Sequence, residues 1–260
     1  MIAEGLPEAV ARRHAAILAA ARRTGSVAVD TLASELGVTP QTIRRDLNLL
    51  AERAMLSRVH GGAVITSGVD NLDREARGAI ATEAKAAIGR AAAALVPNGA
   101  SLFINIGTTT EAIARALVDH RNLLVVTNNL NVVSILAARP TIEVVVAGGR
   151  VRPSDGAVVG ALAMDFIGGF KVDYALIGAS AIDQDGTLLD FDIDEVRVSQ
   201  RIIEQARTTI LAVDRSKFGR PAPVRIAGLD RIDHLVTDKL DDAEIAAACD
   251  AAGVKVTQTI

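Results

Sequence analysis

The chain has 260 residues, half of them hydrophobic, with 2% aromatics, a formal net charge of −3 and a single cysteine, Cys249. One thiol excludes an internal disulfide framework and the common zinc sites, and its alanine-rich surroundings mark it as a buried structural residue. No apolar run approaches the ~20 residues of a membrane span, and an N-terminus carrying Glu4 and Glu8 is unlike a secretion signal, so a two-domain α/β protein in a reducing cytoplasm is expected.

The charge is uneven along the chain. Residues 1–63 hold eight arginines and no lysine against six acidic residues, whereas the remainder holds 20 basic against 25 acidic. The excess at the N-terminal end is small, and motifs must decide whether it means anything.

A helix fits residues 12–24, where Ala16, Ile17, Ala20 and Ala21 recur at helical spacing before Gly25. A second fits 30–36, with Asp30 as its N-cap and Gly37 as its stop. Thr39 and Pro40 then start a third, as N-cap and first helical residue, running to about Arg53. The tight turn between the second and third makes a helix-turn-helix over about residues 26–45. In the third helix Ile43, Leu47 and Leu50 share one face. Gln41, Thr42, Arg44, Arg45 and Asn48 therefore fall on the outer faces near the helix N-terminus, where side chains able to bond base edges and phosphates would enter a major groove. Two short strands, 55–58 and 63–66, flank His60-Gly61-Gly62 as a wing whose Arg58 and His60 could reach the DNA backbone or minor groove.

Residues 64–72 are polar and aperiodic, and a linker is expected over 64–78. From about residue 79 the pattern changes. A long helix fits 79–95, closed by Pro97-Asn98-Gly99. Strands at 101–105, 123–127, 143–147, 174–177, 209–213 and 234–237 then alternate with helices at 109–119, 129–138, 194–205 and 242–252, which implies a largely parallel sheet covered on both faces.

In such a sheet ligands bind beyond the carboxyl ends of the strands. After the first strand comes Gly107-Thr108-Thr109-Thr110 and then a helix: a glycine for close approach, three hydroxyls, and the free N–H groups of a helix N-terminus, together a phosphate cradle or, more simply, a capped turn. Asn128, in Thr127-Asn128-Asn129-Leu130, suits either hydroxyl recognition or a helix cap. Lys217, in Asp214-Arg215-Ser216-Lys217-Phe218-Gly219, offers a point charge for a phosphate or is only an exposed loop lysine. Catalytic signals are thin. The four histidines (14, 60, 120, 234) lack metal-ligand spacing, no GxSxG or GxGxxG occurs, and carboxylates near strand ends (Asp173, Asp183, Asp185, Asp214) are all that an isomerase would have to work with. No cofactor or metal is called for.

With these residues in view, the stretch 38–63 resembles the DNA-binding domain of DeoR-type bacterial transcriptional repressors. Its hallmarks are a TIRRDL helix (42–47) followed by R-x-HGGA (58–63). The resemblance extends in order through Arg77 and Lys85, GTTT at 107–110, TNNL at 127–130, AGG at 147–149 and DRSKFG at 214–219. It implies a winged helix-turn-helix domain over 1–63 and, over 79–260, an α/β effector-sensing domain similar to a sugar-phosphate isomerase fold retained for binding. The runs SLFINIGTTTEA (101–112), VTNNLNV (126–132) and DGTLLDFDIDEVR (185–197) are similar to members that answer to glycerol 3-phosphate. The resemblance thus implies a homo-oligomer, a dimer or tetramer, that binds double-stranded operator DNA and releases it on binding a phosphorylated effector. Gly107, Thr108, Thr109 and Thr110 would lie on the phosphate, with Lys217 as charge partner and Asn128 nearby. One departure is Asn105, where many members carry Asp, which removes a negative charge beside the loop. Two other readings remain at this point: an isomerase with an appended domain, and an architectural DNA binder indifferent to small phosphates.

Overall fold

A computed structural model of the chain describes residues 8–24, 26–52, 56–59, 61–65 and 81–259. The chain divides into two compact units, Met1–Leu72 and Asp73–Ile260.

In the first unit α1 (Glu8–Thr24), β1 (Ser26–Ala28), α2 (Val29–Leu36), α3 (Pro40–Glu52), β2 (Leu56–Val59) and β3 (Gly62–Ile65) follow one another. The three strands form an antiparallel sheet in the order β1-β3-β2. Ile17 and Ala21 of α1, Leu32 of α2, and Ile43, Leu47 and Leu50 of α3 close a core with Leu56 and Ala63. The helix-turn-helix spans α2 and α3, later than the expected 26–45, because residues 26–28 are a strand. Asp30 is not the N-cap of α2 but sits in its first turn, where a carboxylate complements the helix dipole. The helix instead starts at Val29, whose N–H donates to the Gly61 carbonyl at 2.9 Å, so the wing turn supplies what a capping side chain would. The expected domain end at residue 63 falls inside β3, and residues 64 and 65 belong to that strand rather than to a linker; residues 66–78 of the expected linker lie outside the described residues.

Gly62 has its own reason. A Cβ built there would meet the Val27 carbonyl oxygen at 2.1 Å, so the second glycine of the wing lets β3 approach β1. The strand β1, too short for any period to show, is what that glycine accommodates.

In the second unit seven strands form one parallel sheet in the order β15-β14-β12-β9-β4-β5-β6. They are β4 (Ser101–Ile104), β5 (Leu123–Thr127), β6 (Ile142–Val146), β9 (Val172–Ile177), β12 (Ala206–Ala212), β14 (His234–Thr237) and β15 (Lys255–Gln258). Leu102 and Ile104 pack on one side with α4 (Thr82–Ala93), α5 (Thr108–Ala116) and α6 (Leu130–Leu136). Phe103 points to the other side, where α7 (Ala161–Gly168), α8 (Ile193–Glu204) and α9 (Ala243–Ala252) lie and Cys249 is fully buried. Desolvation by burial raises the Cys249 thiol pKa. The expected strands and helices are within three residues of these limits. Alternation cannot reveal the shorter pieces: the hairpin β7 (Arg150–Arg152) and β8 (Ala157–Val159), and the small sheet of β10 (Ala181–Ile182), β11 (Leu188–Asp190) and β13 (Val224–Ala227). Nor did it show α7 or β15.

The strand order makes one position special. Successive strands step outward from β4 through β5 to β6, then from β9 through β12 and β14 to β15 in the opposite direction. The chain connections therefore diverge between β4 and β9, and a crevice opens at the carboxyl ends of that pair.

Replacing Gly62 by Ala should destabilise the first unit by about 1–3 kcal/mol, because backbone rather than a movable side chain blocks the added methyl. Denaturant unfolding should show an earlier transition for the N-terminal unit and an unchanged one for the sheet domain; coincident curves for variant and wild type would remove the close-approach role.

Candidate nucleic-acid interface and effector cavity

Helix α3 is built to present one face. Thr42 N–H donates to Thr39 Oγ1 at 3.2 Å, so Thr39 caps the helix as its sequence implies, and Pro40 occupies the first helical position. Gln41, Arg44, Arg45 and Asn48 are exposed, and neither arginine pairs with a carboxylate among the described residues. Thr42 is partly exposed, and its hydroxyl lies 2.9 Å from that of Thr39, which ties it to the cap. The side chain of Arg58 and the whole of His60 lie outside the described residues.

Asp46, within the same motif, does something the sequence did not announce. Its side chain turns inward, accepting from Arg13 Nε at 2.5 Å and Nη2 at 3.2 Å and lying 3.1 Å from His14 Nε2. Burial favours its neutral form, but the hydrogen bonds from Arg13 and His14 outweigh that and hold the carboxyl below its usual range. The acid thus pins α3 to α1 while the two arginines beside it stay exposed. Its signal was the spacing: Ile43, Asp46, Leu47 and Leu50 fall at i, i+3, i+4 and i+7 on one face.

In the sheet domain the crevice between β4 and β9 holds a cavity of about 30 Å³. Ile106 to Thr110 line it after β4, Gly178, Ala179 and Ser180 after β9, and Ala212 and Lys217 at the end of β12, with Asp190 and Glu195 completing the wall. Gly107 stands at φ 140° where the strand becomes α5, a conformation that side-chain-bearing residues rarely adopt. Thr110 is fully buried, and its hydroxyl bonds the carbonyls of Asn105 and Gly107 at 2.7 and 2.8 Å. It braces the loop, so the donors offered to a ligand come from the backbone N–H groups and Thr108 and Thr109. Lys217 ends a 3-10 turn, Arg215–Lys217, capped by Asp214, which accepts from Ser216 N–H and from its hydroxyl. The structure therefore brings Gly107, Thr108, Thr109, Thr110 and Lys217 together.

Asn128 is not brought there. It is fully buried beneath the β7–β8 hairpin, donating from Nδ2 to the Val158 carbonyl at 3.2 Å, while its backbone carbonyl accepts from Val158 N–H at 2.7 Å. Asn129 is the cap, accepting from Asn131 N–H at 2.9 Å. Two adjacent asparagines in a strand-exit loop look alike in sequence; only the fold shows that one holds a hairpin and the other a helix.

Asn105 also acquires a role. Its Nδ2 donates to Ser199 Oγ at 2.7 Å, and that hydroxyl donates onward to the Glu195 carbonyl at 3.0 Å. An aspartate would present two acceptors to one hydroxyl proton, so the amide fits Ser199 and ties the Gly-Thr-Thr-Thr loop to α8. Glu195, on that helix, also meets the hairpin. Arg152 reaches Asp155 at 2.6 Å, Asp192 at 2.8 Å and Glu195 at 2.5 Å. Burial works against its charge, but Asp155 and Glu195 outweigh that and raise the guanidinium above its ordinary value. Asp192 caps α8 in turn, accepting from the N–H groups of Asp194 and Glu195. Ser180, Asp190, Glu195 and Arg152 were missed in the sequence because no local pattern links them to residue 107.

A larger groove of about 770 Å³ runs between α4 and α5, from Thr82 and Lys85 to His120. Of the strand-exit residues only Thr108 borders it, and alanines alternate there with charged side chains, so the convergent loops identify the smaller cavity as the candidate site. Among the described residues no helix is long and apolar enough to cross a membrane, and no cluster of histidine, cysteine or acidic residues has the makings of a metal site.

Two family models match the chain: a DeoR-like helix-turn-helix domain over residues 13–69 and a DeoR C terminal sensor domain over 80–239. The chain is 45% identical over 227 residues to a glycerol-3-phosphate regulon repressor of Escherichia coli K12, covering 87% of this chain and 90% of that protein. It is likewise 45% identical over 225 residues to one of Haemophilus influenzae, covering 86% and 88%, and 36% identical over 244 residues to the E. coli transcriptional repressor CsqR, covering 94% of each. Among solved structures, ribose 5-phosphate isomerase A of Methanocaldococcus jannaschii aligns over 53% of this chain and 55% of its own, with 16% identity and a TM-score of 0.39. A Pyrococcus horikoshii translation initiation factor eIF-2B aligns over 88% and 95%, with 15% identity and a TM-score of 0.45.

Replacing Asp46 by Ala should destabilise the N-terminal unit by at most roughly 3–5 kcal/mol, since it strips a nearly buried pair of one partner. The folded carboxyl titrates below the unfolded value of about 3.9, so its contribution is complete above that pH and fades as the pH falls from there toward the folded pKa. Acid titration of unfolding free energy should show a shallower loss below about pH 4 in Asp46→Asn than in wild type; parallel curves would mean that the pair contributes nothing.

Proposed function

The chain belongs to the DeoR family of transcriptional repressors, and from that premise we propose that it silences a carbohydrate or glycerol catabolic operon until glycerol 3-phosphate releases it. It is a regulator and not an enzyme. The observation that carries the effector reading is the cavity at the β4–β9 divergence, where a helix N-terminus and Lys217 converge. Backbone N–H groups, a positive helix end and an ammonium are what a phosphate monoester needs. The choice of glycerol 3-phosphate is supported by the two relatives at 45% identity, both named for that regulon.

Release requires two arrangements of the sensor domain that bind the effector with different affinity. A ligand that prefers one arrangement shifts the population toward it, and only that difference in affinity can be transmitted to DNA. On the DNA side Gln41, Thr42, Arg44, Arg45 and Asn48 would enter the major groove, and Arg58 and His60 of the wing would reach the backbone. One domain of this size has a limited footprint, and a homo-oligomer that presents two copies to paired half-sites gains the affinity a regulator requires.

Titrating the operator complex of the full chain with glycerol 3-phosphate and other sugar phosphates, while following any conversion of the added compound, tests the whole reading. Dissociation by glycerol 3-phosphate at lower concentration than by its competitors is expected; turnover without DNA binding would overturn the proposal. Arg45→Ala should lose about 1–3 kcal/mol of operator affinity if the side chain reads a base, whereas loss of a phosphate contact weakens all sequences alike and flattens the salt dependence. Lys217→Ala should keep operator binding and lose induction; normal induction would take Lys217 out of the site.

A further inference from the structure

Asn105 is the first residue beyond β4, where the chain turns away from β9 toward the Gly107–Thr110 loop, and it is 2% exposed. All four of its polar groups are engaged. The backbone N–H donates to the Leu176 carbonyl of β9 at 3.0 Å, and the backbone carbonyl accepts from the Thr110 hydroxyl at 2.7 Å. The side chain bonds at both ends, Oδ1 accepting from Ile106 N–H at 2.8 Å and Nδ2 donating to Ser199 Oγ at 2.7 Å. Because the Ile106 N–H can only donate, it selects the amide oxygen and leaves the NH2 group facing α8. Ser199 is also buried, and it directs its own proton to the Glu195 carbonyl at 3.0 Å, so at Asn105 it receives rather than gives.

The two side-chain partners are thus a backbone N–H and a hydroxyl, both neutral. An ionised acid at 105 would be buried with no cation among those partners, two residues before the glycine on which a phosphate would lie, and like charges repel strongly where water is excluded. An apolar residue would be neutral but would release residues 106–110 from α8. Of side chains this short, only the amide is uncharged and offers an acceptor at one end and a donor at the other.

We propose that Asn105 is a positioning residue for the effector: it holds the 106–110 backbone against α8 in the form that receives a phosphate, and it keeps fixed negative charge out of that loop. It acts through residues 107–110 and makes no contact of its own with the ligand. Resting on the effector reading of the cavity, this role adds the residue that sets how strongly the loop accepts a dianion, whichever compound carries it. The ionisable groups lining the cavity are Asp190, Glu195 and Lys217, and the Asn105 side chain bonds none of them.

Calorimetric titration of the full chain with glycerol 3-phosphate tests the role in two variants, each compared with wild type at the same pH so that ionisation of the ligand cancels. Ser199→Ala leaves the buried Nδ2 without an acceptor and should weaken binding about tenfold at every pH. Asn105→Asp keeps the size of the side chain. It should weaken binding by about tenfold or more at about pH 8, where the acid is ionised, and return toward wild type at about pH 5, where the protonated acid is neutral and donates to Ser199 as the amide does. A purely structural defect would not follow the ionisation of residue 105. Wild-type affinity in either variant at about pH 8, or a loss in Asn105→Asp that is the same at both pH values, overturns the proposal. If wild type does not bind glycerol 3-phosphate, the effector reading and this role fall together; binding by wild type with unaltered variants leaves that reading standing and removes only the role of Asn105.

Discussion

Everything in the sensor domain depends on the direction of seven strands. Because every pair is parallel, all strand-exit loops emerge at one edge, and the order reverses on either side of the β4–β9 pair. Loops that would otherwise pack against one another part at that place. Gly107 turns the chain there, α5 begins there, and Lys217 arrives from β12 on the far side of β9. The cavity is thus a consequence of connectivity before it is a consequence of any side chain.

The N-terminal unit solves a different problem with few residues. Helix α3 exposes its cations and must still be anchored in a core of modest size. Leu47 and Leu50 supply apolar anchoring, but apolar contacts are not directional and allow the helix to roll. The Asp46 carboxylate, held by Arg13 and His14 of α1, fixes the roll angle and so fixes which way Arg44 and Arg45 point. The burial of one acid and the exposure of two arginines are therefore the same structural fact. The wing contributes at the other end, where the Gly61 carbonyl caps the first turn of α2 and Gly62 admits β1 alongside β3.

Legibility in the sequence followed length and locality. Most helices of two or more turns and most strands of four or more residues carry a period, and those expected lie within four residues of the observed limits, whereas α7, β13 and β15 were not read. The strands β1, β7, β8, β10 and β11 have two or three residues each, too few for a period, and exist because other segments pair with them. The same division runs through the site. Gly107 to Thr110 lie on consecutive residues and Lys217 in a compact loop, so both could be read locally. Asn128 could not be separated from a cavity residue, since its assignment depends on Val158, thirty residues on. Arg152, Asp190 and Glu195 come from three separate elements, and their convergence is visible only once β7, β11 and α8 are folded together.

Charge also fastens the hairpin. Arg152 of β7 meets Asp155, Asp192 and Glu195, and Asp192 in turn caps α8, so the hairpin is held against the start of that helix. Asn105 joins the Gly107–Thr110 loop to the same helix through Ser199. Buried polar groups of this kind stay in place because each has its partner. The loop after β4 and the hairpin at 150–159, which share no strand, are therefore coupled through α8, and a displacement of one reaches the other by way of that helix.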